Sequence, residues 1–283
     1  MPADSSKTKR ALGVCSWSLL VESPQEVASR ARASGARAVQ LALDPLRRSG
    51  TSPEEARRRL EGAGVRILSG MMAMAGEDYS SLESIRRTGG VRPDDTWPEN
   101  LRAACADAYI ARRLGVTLVT FHAGFLPEER RDPERERILA RLRELCRVFG
   151  REGIRIGLET GQERAATLLE VLEDLDEPGL GVNFDPANMI LYGMGDPVDA
   201  LEALAPHVLQ IHVKDALPPE RPGEWGREVP AGEGAVDWQR FFRVLEARGI
   251  DCDLVVEREA GEDRIGDVRR ALALVREHLG VEA

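Results

Sequence analysis

Four short aliphatic runs in this sequence each lead into a side chain that can bind a metal ion or carry a proton. Those side chains are Glu159, Asp185, His212 and Glu257. The clearest run, V-L-Q-I-H-V-K-D over residues 208–215, is β-branched and apolar and ends in an imidazole, an ammonium and a carboxylate. Carboxylates and imidazoles bind divalent cations and also serve as general acids and bases. If the four runs are neighbouring parallel strands, their polar ends meet at one edge and form a single site.

The spacing of these side chains fits a series of strand–helix units. Asp185 follows Glu159 by 26 residues, and His212 follows Asp185 by 27 residues. One unit of a β/α barrel has about this length, and a segment rich in Pro and Gly lengthens the step to Glu257. A single carboxylate at a strand end often caps the next helix, and for any one of these residues that interpretation is equally good. Their occurrence in consecutive strands favours a shared site.

Three carboxylates and one imidazole form an oxygen-rich, anionic set of ligands. Such a set suits Mn²⁺, Mg²⁺ or Co²⁺, with Zn²⁺ as an alternative, although structural zinc sites prefer thiolates. Without a cation the clustered carboxylates would repel one another. A divalent cation that chelates the carbonyl and hydroxyl of a sugar acidifies the adjacent C–H and stabilises an enediolate, while a nearby carboxylate transfers the proton. We therefore expect one divalent cation and proton-transfer chemistry.

The elements that position this site repeat a pattern of apolar strand, helix start and glycine stop. The helix starts Ser23-Pro24 and Ser52-Pro53 each place a serine cap before a proline in the first turn. Eight such units predict an α/β fold, a (β/α)8 TIM barrel in a single domain over residues 11–283, after a disordered tail over 1–10. Two segments, 75–100 and 217–236, are predicted as long loops. The predicted strands are 12–17, 38–43, 65–74, 117–122, 154–159, 180–184, 208–215 and 254–257.

The composition indicates a globular protein without a membrane or nucleic-acid partner. The chain has 283 residues, of which 42% are apolar, and none of its apolar runs approaches the length of a membrane span. The formal net charge of -9 argues against binding to a phosphate backbone. The four cysteines are far apart and match neither a disulfide framework nor a zinc motif, which fits a reducing cytoplasm. We expect a cytoplasmic protein with a small-molecule substrate, and homo-oligomerisation is left open.

The order of the motifs G-L-E-T, N-F-D-P-A-N-M, I-H-V-K-D, G-E-G-A-V-D-W and V-V-E resembles the xylose isomerase-like TIM barrel superfamily, in its branch of sugar phosphate isomerases and epimerases. The similarity extends over residues 12–279. It implies that Glu159, Asp185, His212 and Glu257 are the metal ligands. It also implies that Glu159 and Glu257 transfer protons on opposite faces of a small sugar or polyol-derived ketone.

The activity implied by the resemblance is metal-dependent sugar isomerisation or ketose 3-epimerisation through an enediolate. A lyase similar to inosose dehydratases is the alternative within enzymes, because it uses the same enolate but expels a hydroxyl group. A barrel that binds a sugar without catalysis is the alternative outside enzymes. Such a binding protein would not need two opposed carboxylates.

Three polar residues near the predicted strand ends are candidates for substrate contacts. His122 ends a predicted strand where the family often places a histidine, although a structural role is the alternative. Asn188 stands where the 3-epimerases carry a histidine, three residues after the metal-binding aspartate. Lys214 lies on the same strand face as the metal-binding histidine, and it either polarises a substrate oxygen or pairs with Asp215.

Trp17 and Glu233 complete the set of substrate-binding candidates. Trp17 lies at the end of the first predicted strand, where an aromatic ring can pack against the apolar face of a sugar or against the core. Glu233 lies in a Gly-Glu-Gly turn, where it either contacts the substrate or is incidental to glycines that serve the backbone shape.

Overall fold

The computed structural model describes residues 10–221 and 223–280 and contains a closed barrel of eight parallel strands. The barrel strands are β1 (Leu12–Cys15), β2 (Ala38–Ala42), β3 (Arg66–Met71), β4 (Leu118–Phe121), β5 (Arg155–Glu159), β6 (Leu180–Phe184), β7 (Val208–Val213) and β10 (Asp253–Val256). Their order around the barrel is β1-β10-β7-β6-β5-β4-β3-β2. A short antiparallel hairpin of β8 (Asp215–Leu217) and β9 (Arg227–Val229) follows β7. The predicted (β/α)8 barrel in a single domain is confirmed.

The helices surround the barrel, and their starts follow the predicted signals. The side chains of Ser23 and Ser52 accept hydrogen bonds from the backbone N–H groups of Glu26 and Glu55, and a proline occupies the first turn of both helices. The helices are α1 (Pro24–Ser34), α2 (Asp44–Ser49), α3 (Pro53–Gly62), α4 (Leu82–Thr88), α5 (Trp97–Leu114), α6 (Pro133–Arg151), α7 (Ala165–Leu175), α8 (Pro186–Tyr192), α9 (Pro197–Leu204), α10 (Trp238–Ala247) and α11 (Arg264–Leu279).

Both segments that were predicted as long loops contain regular structure. The 75–100 segment includes α4 and the first turn of α5, because Trp97-Pro98 starts a helix in which proline is tolerated at an early position. The 217–236 segment includes β9, which pairs with β8 through local backbone hydrogen bonds. These elements are short or begin with turn-like residues, so their composition hides them.

The predicted N-terminal tail, residues 1–10, lies outside the described residues except for Arg10. The Arg10 guanidinium donates a hydrogen bond to the backbone carbonyl of Ile250 at 3.0 Å and lies 3.6 Å from the Asp251 carboxylate. Arg10 is therefore anchored beside β10, and the ordered barrel includes it. Among the helices within residues 10–221 and 223–280, none combines the length and hydropathy needed to cross a membrane.

A layer of buried polar side chains lies inside the barrel below the predicted site. The side chain of Gln40 donates to Thr120 Oγ1 at 2.8 Å, while Ser69 donates to Gln210 at 2.5 Å and Gln210 donates to Asn183 at 3.2 Å. All five side chains are almost completely buried. Buried polar groups that hydrogen-bond to one another in this way hold fixed orientations. This layer therefore supports the side chains above it in fixed positions.

Asp107 on α5 is a buried carboxylate that we expect to make stability depend on pH. One oxygen lies 3.0 Å from Arg47 Nη1, and the other has no hydrogen-bond partner among the described residues. Burial raises the pKa of Asp107 to about 7, and the nearby Arg47 offsets only part of that effect. Because this pKa lies above the value of an unfolded aspartate, the folded protein loses stability as the pH rises from about 4 to about 7.

Replacing Asp107 by Asn removes this titration. One pKa unit corresponds to about 1.4 kcal/mol, so between about pH 5 and pH 8 the wild type should lose roughly 2–3 kcal/mol more unfolding free energy than the variant. Urea unfolding at both pH values measures the difference. The variant Asp199→Asn is the control, because it removes an exposed carboxylate and should keep the pH dependence of the wild type. Equal pH dependence in Asp107→Asn and the wild type would contradict the expectation.

Candidate functional site

The four predicted ligands come from adjacent strand ends and lie together at the C-terminal mouth of the barrel. Glu159 ends β5, Asp185 and Glu257 follow β6 and β10, and His212 lies on β7. The Nδ1 atom of His212 lies 3.4 Å from Glu159, 3.7 Å from Asp185 and 3.5 Å from Glu257. One ligand atom from each residue lies within 4.8 Å of the others, and all four side chains are buried. A single ion can therefore contact all of them.

A glutamine that sequence reasoning missed orients the imidazole of His212. Gln40 Oε1 lies 2.7 Å from His212 Nε2, and the amide nitrogen of Gln40 is engaged by Thr120. Because a carbonyl oxygen only accepts hydrogen bonds, this contact places a proton on His212 Nε2 and turns Nδ1 toward the carboxylates. The sequence gives one sign that Gln40 has a specific role, because this polar residue lies in the middle of the apolar run A-V-Q-L-A.

Glu159 is held as an ionised carboxylate by several donors. Its two oxygens accept hydrogen bonds from the side-chain amides of Asn188 at 2.9 Å and Asn183 at 3.2 Å, and His122 Nε2 lies 3.5 Å away. Burial would raise the pKa of Glu159, but the rings of His122 and His212 outweigh it and hold the pKa below its usual value. A buried carboxylate that stays ionised can accept a proton.

Asp185 caps a helix with one carboxylate oxygen and turns the other toward the ligand cluster. Its Oδ1 atom caps α8 by accepting hydrogen bonds from the backbone N–H groups of Ala187 at 2.8 Å and Asn188 at 3.0 Å. Its Oδ2 atom is buried and has no hydrogen-bond partner within the described part of the chain. Burial raises the pKa of Asp185 to about 6. Since an unpartnered buried carboxylate oxygen is costly, the free Oδ2 beside three other ligand atoms fits a bound cation.

Lys214 and Trp17 hold the Glu257 carboxylate from opposite sides. Lys214 Nζ donates to Glu257 Oε2 at 2.8 Å and to Glu259 at 2.5 Å, and Trp17 Nε1 donates to Glu257 Oε1 at 2.7 Å. Burial would raise the pKa of Glu257, but Lys214 and His212 hold it well below its usual value. Lys214 therefore belongs to the site and does not pair with Asp215.

Asp215 instead organises the loop that follows β7. Its carboxylate accepts hydrogen bonds from Trp238 Nε1 at 2.8 Å and from the backbone N–H groups of Gly232 at 2.9 Å and Gly234 at 3.2 Å. Glu233, which lies between these glycines, is exposed and does not line the cavity. Of the five substrate-binding candidates, Glu233 is the one that the structure does not bring to the site.

A cavity of about 1090 Å³ opens beside the ligand cluster, and of the four ligands Glu257 lines its wall. Its wall includes the other four substrate-binding candidates, and the Nδ1 atom of His122 is buried there without a partner among the described residues. Further wall residues were missed in the sequence, because none of them belongs to a recognisable motif. These are, among others, Glu77, Tyr79, Tyr192, Glu228 and Glu259.

The donor set fits a divalent cation. Three buried carboxylates and an imidazole nitrogen converge, one carboxylate oxygen is otherwise unpartnered, and an oxygen-rich set of this kind suits Mn²⁺, Mg²⁺ or Co²⁺. Glu159, Asp185, His212 and Glu257 would hold the ion. A bound cation would also compensate for the repulsion among the three carboxylates.

The comparisons with known proteins identify the family of this barrel. The model of the family described as xylose isomerase-like TIM barrel matches residues 28–278. The solved structure of a xylose isomerase domain protein from Planctomyces limnophilus is 31% identical, with a TM-score of 0.82 over 89% of this chain and 93% of that chain. A barrel protein of this type from Mycobacterium smegmatis, solved in complex with magnesium, is 17% identical with a TM-score of 0.75 over 98% and 99% of the two chains, which shows a shared fold.

Two curated relatives match over shorter stretches and have different activities. The 3-oxo-isoapionate decarboxylase of Pectobacterium atrosepticum is 26% identical over 129 residues, which are 44% of this chain and 46% of the relative. An L-ribulose-5-phosphate 3-epimerase of Escherichia coli is 36% identical over 73 residues, 25% of this chain and 24% of the relative. These matches span less than half of each curated relative, whereas the family model spans most of the chain. The chain belongs to the xylose isomerase-like TIM barrel family.

Proposed function

We propose that this protein is a metal-dependent sugar isomerase or epimerase in which Glu159 and Glu257 transfer protons at the carbon next to a ketose carbonyl. The observation that carries the proposal is the pair of buried, ionised carboxylates on strands separated by two others, both facing one ligand cluster. The bound cation would supply Lewis acidity, which polarises a carbonyl and stabilises developing negative charge. Side chains of the protein carry out the proton transfers.

The two carboxylates have different surroundings, which suits them to different roles. Glu159 is close to His122, whose pKa is raised because the Glu159 and Glu77 carboxylates outweigh the opposing effect of burial. Glu257 is bonded to Lys214, whose ammonium stabilises the carboxylate after it has given up a proton. One glutamate is therefore able to take the proton from one face of the substrate and release it to solvent, while the other takes up a proton from solvent and delivers it to the opposite face. Return to the same carbon gives epimerisation, and return to the neighbouring carbon gives isomerisation.

A lyase is the second candidate, and the similarity to a decarboxylase favours it. Loss of carbon dioxide from a 3-oxo acid builds up the same enolate charge that proton removal does, and a dehydratase forms that enolate by proton removal before it expels a β-hydroxyl group. The same carboxylates and the same cation would serve such a reaction. An isomerase or epimerase keeps the carbon skeleton and all of its oxygens, whereas a lyase removes carbon dioxide or a hydroxyl group.

Deuterium exchange tests the proposed proton transfer. When the metal-loaded protein is incubated with a panel of ketopentoses and ketohexoses in deuterium oxide, deuterium should enter the carbon next to the carbonyl, as measured by NMR and mass spectrometry. The Glu159→Gln variant is the control and should give no exchange. Lack of exchange with every ketose in a sample shown to contain metal would refute the proposal, and an enone absorbance or release of carbon dioxide would favour the lyase.

A further inference from the structure

The cavity is larger than the ligand cluster requires, and it extends away from that cluster. The four ligands occupy the half of the barrel mouth formed by β5, β6, β7 and β10, yet the cavity continues over the ends of β1, β2 and β3. Its volume of about 1090 Å³ is at the upper end of the range of roughly 300–1000 Å³ that is typical for sites of drug-sized ligands. A single ketose at the cluster would leave the β1–β3 half unfilled.

The β1–β3 half of the cavity carries both aliphatic and charged side chains, and its charged groups include an ion pair. Its side chains are mostly aliphatic, and at its far end Arg48 Nη2 lies 2.9 Å from Glu22 Oε1. Trp17 lies at the boundary between the two halves, with its indole fixed by the hydrogen bond to Glu257. Aliphatic side chains beside an aromatic ring fit the face of a second ring, and the charged groups among them can bond its hydroxyl groups. The aliphatic residues are Leu20, Val21, Leu41, Ala42, Pro45 and Met71.

The charges of the cavity wall oppose a phosphate group. Lys214 and Arg48 are the Lys and Arg residues among the described wall residues. The three N–H donors of Lys214 are used by Glu257, Glu259 and Asn188, and Arg48 is paired at the exposed end. Phosphate recognition normally requires free Arg or Lys donors, and a phosphate here would face several carboxylates instead. These are Glu22, Asp44, Glu77, Glu228, Glu257 and Glu259.

We infer that the substrate is an uncharged ketosugar joined to a second uncharged ring, and that sugar phosphates are rejected. The inference rests on the proposed function, because it places the reacting ketose beside Glu159 and Glu257. The second ring then lies over the aliphatic residues of the β1–β3 half. The Glu22–Arg48 pair offers hydrogen-bond acceptors and donors to the hydroxyl groups of that ring.

Three matched ligands test the inference. Fructose, fructose 6-phosphate and isomaltulose share one ketose and differ in what the terminal hydroxyl carries: nothing, phosphate or glucose. Equilibrium dialysis against the metal-loaded wild type should give tightest binding for isomaltulose, at least fivefold weaker binding for fructose, and at least a further fivefold weaker binding for the phosphate. Any other order overturns the inference. Deuterium exchange in the same samples tests the proposed function separately, because exchange with the wrong binding order refutes the inference alone.

Two substitutions test separately the position of the second ring and the basis of phosphate rejection. Val21→Trp fills the β1–β3 half and should weaken isomaltulose binding at least tenfold while fructose binding stays within about twofold, and Val21→Thr is the matched control that keeps the space open. Glu259→Ala frees one donor of Lys214 and should strengthen binding of fructose 6-phosphate at least fivefold. Equal losses for fructose and isomaltulose in Val21→Trp would overturn the proposed position of the second ring, and unchanged phosphate binding in Glu259→Ala would overturn the proposed basis of phosphate rejection.

Discussion

Replacing Glu159 by Gln is expected to abolish turnover while the cation still binds. The Gln side chain keeps an oxygen that can serve as a ligand, but it cannot accept a proton. Loss of a positioned acid–base group typically costs about 10²–10⁴ in rate, so the residual kcat should be at least roughly a hundredfold lower. Replacing Asp185 by Ala should instead remove most of the metal affinity, because it deletes the oxygen that has no other partner. Elemental analysis and metal titration, alongside kcat, separate the two effects.

The barrel should remain folded in both variants, which circular dichroism at equal protein concentration checks. Both substitutions lie at the strand ends, whereas the strand interiors and the surrounding helices form the core. Full activity of Glu159→Gln would remove Glu159 from proton transfer. Unchanged metal affinity of Asp185→Ala would place the cation elsewhere, and the assignment of all four ligands would then be wrong.

Replacing Lys214 by Met is expected to destabilise the metal-free protein strongly and to lower turnover. The Lys214 and Glu257 side chains are each 2% exposed, and their charged atoms lie 2.8 Å apart. Removing one partner of a buried pair leaves the other charge uncompensated, which typically costs about 3–5 kcal/mol. The loss should appear in the unfolding free energy from urea titration without metal. Added cation should restore part of it, because a ligated Glu257 is no longer uncompensated.

The variant Arg248→Met is the matched control for Lys214→Met. It also removes one partner of an ion pair, but Arg248 and Glu202 are about half exposed, and exposed pairs contribute roughly 0–1 kcal/mol. The kcat of Arg248→Met should equal that of the wild type. If Lys214→Met were as stable as Arg248→Met in the absence of metal, Glu257 would not be ionised in the folded protein, and its role as a proton acceptor would have to be abandoned.

The two oxygens of Asp185 explain why a cap and a metal ligand looked like alternatives in the sequence. A carboxylate has two oxygens, and at the end of β6 one of them caps α8 while the other faces the ligand cluster. The cap fixes the orientation of the carboxylate, so the free oxygen is held in place before any ion binds. Preorganised ligands of this kind lower the cost of ordering the site when an ion binds.

The sequence by itself determined the barrel and the four residues that meet at its mouth. Period-2 alternation within 180–185 and 208–214 puts Asn183 with Asp185, and Gln210 with His212, on the interior face. Helix starts and glycine stops divide the chain into units whose parallel strands all end on the same side. These signals are local, so they can be read without knowledge of distant contacts. They missed the short elements in the loop-like segments and the anchoring of Arg10.

Only the tertiary structure decided how the site is completed. Trp17 reaches Glu257 across 240 residues of sequence, and Gln40 reaches His212 across 172, because closure of the barrel places β1 beside β10 and directs the side chain of β2 into the interior. The pairing of Lys214 with Glu257 and the position of Glu233 outside the cavity likewise depend on the paths of the loops. Contacts between distant residues are set by the packing of the whole chain, which no local pattern of residues encodes.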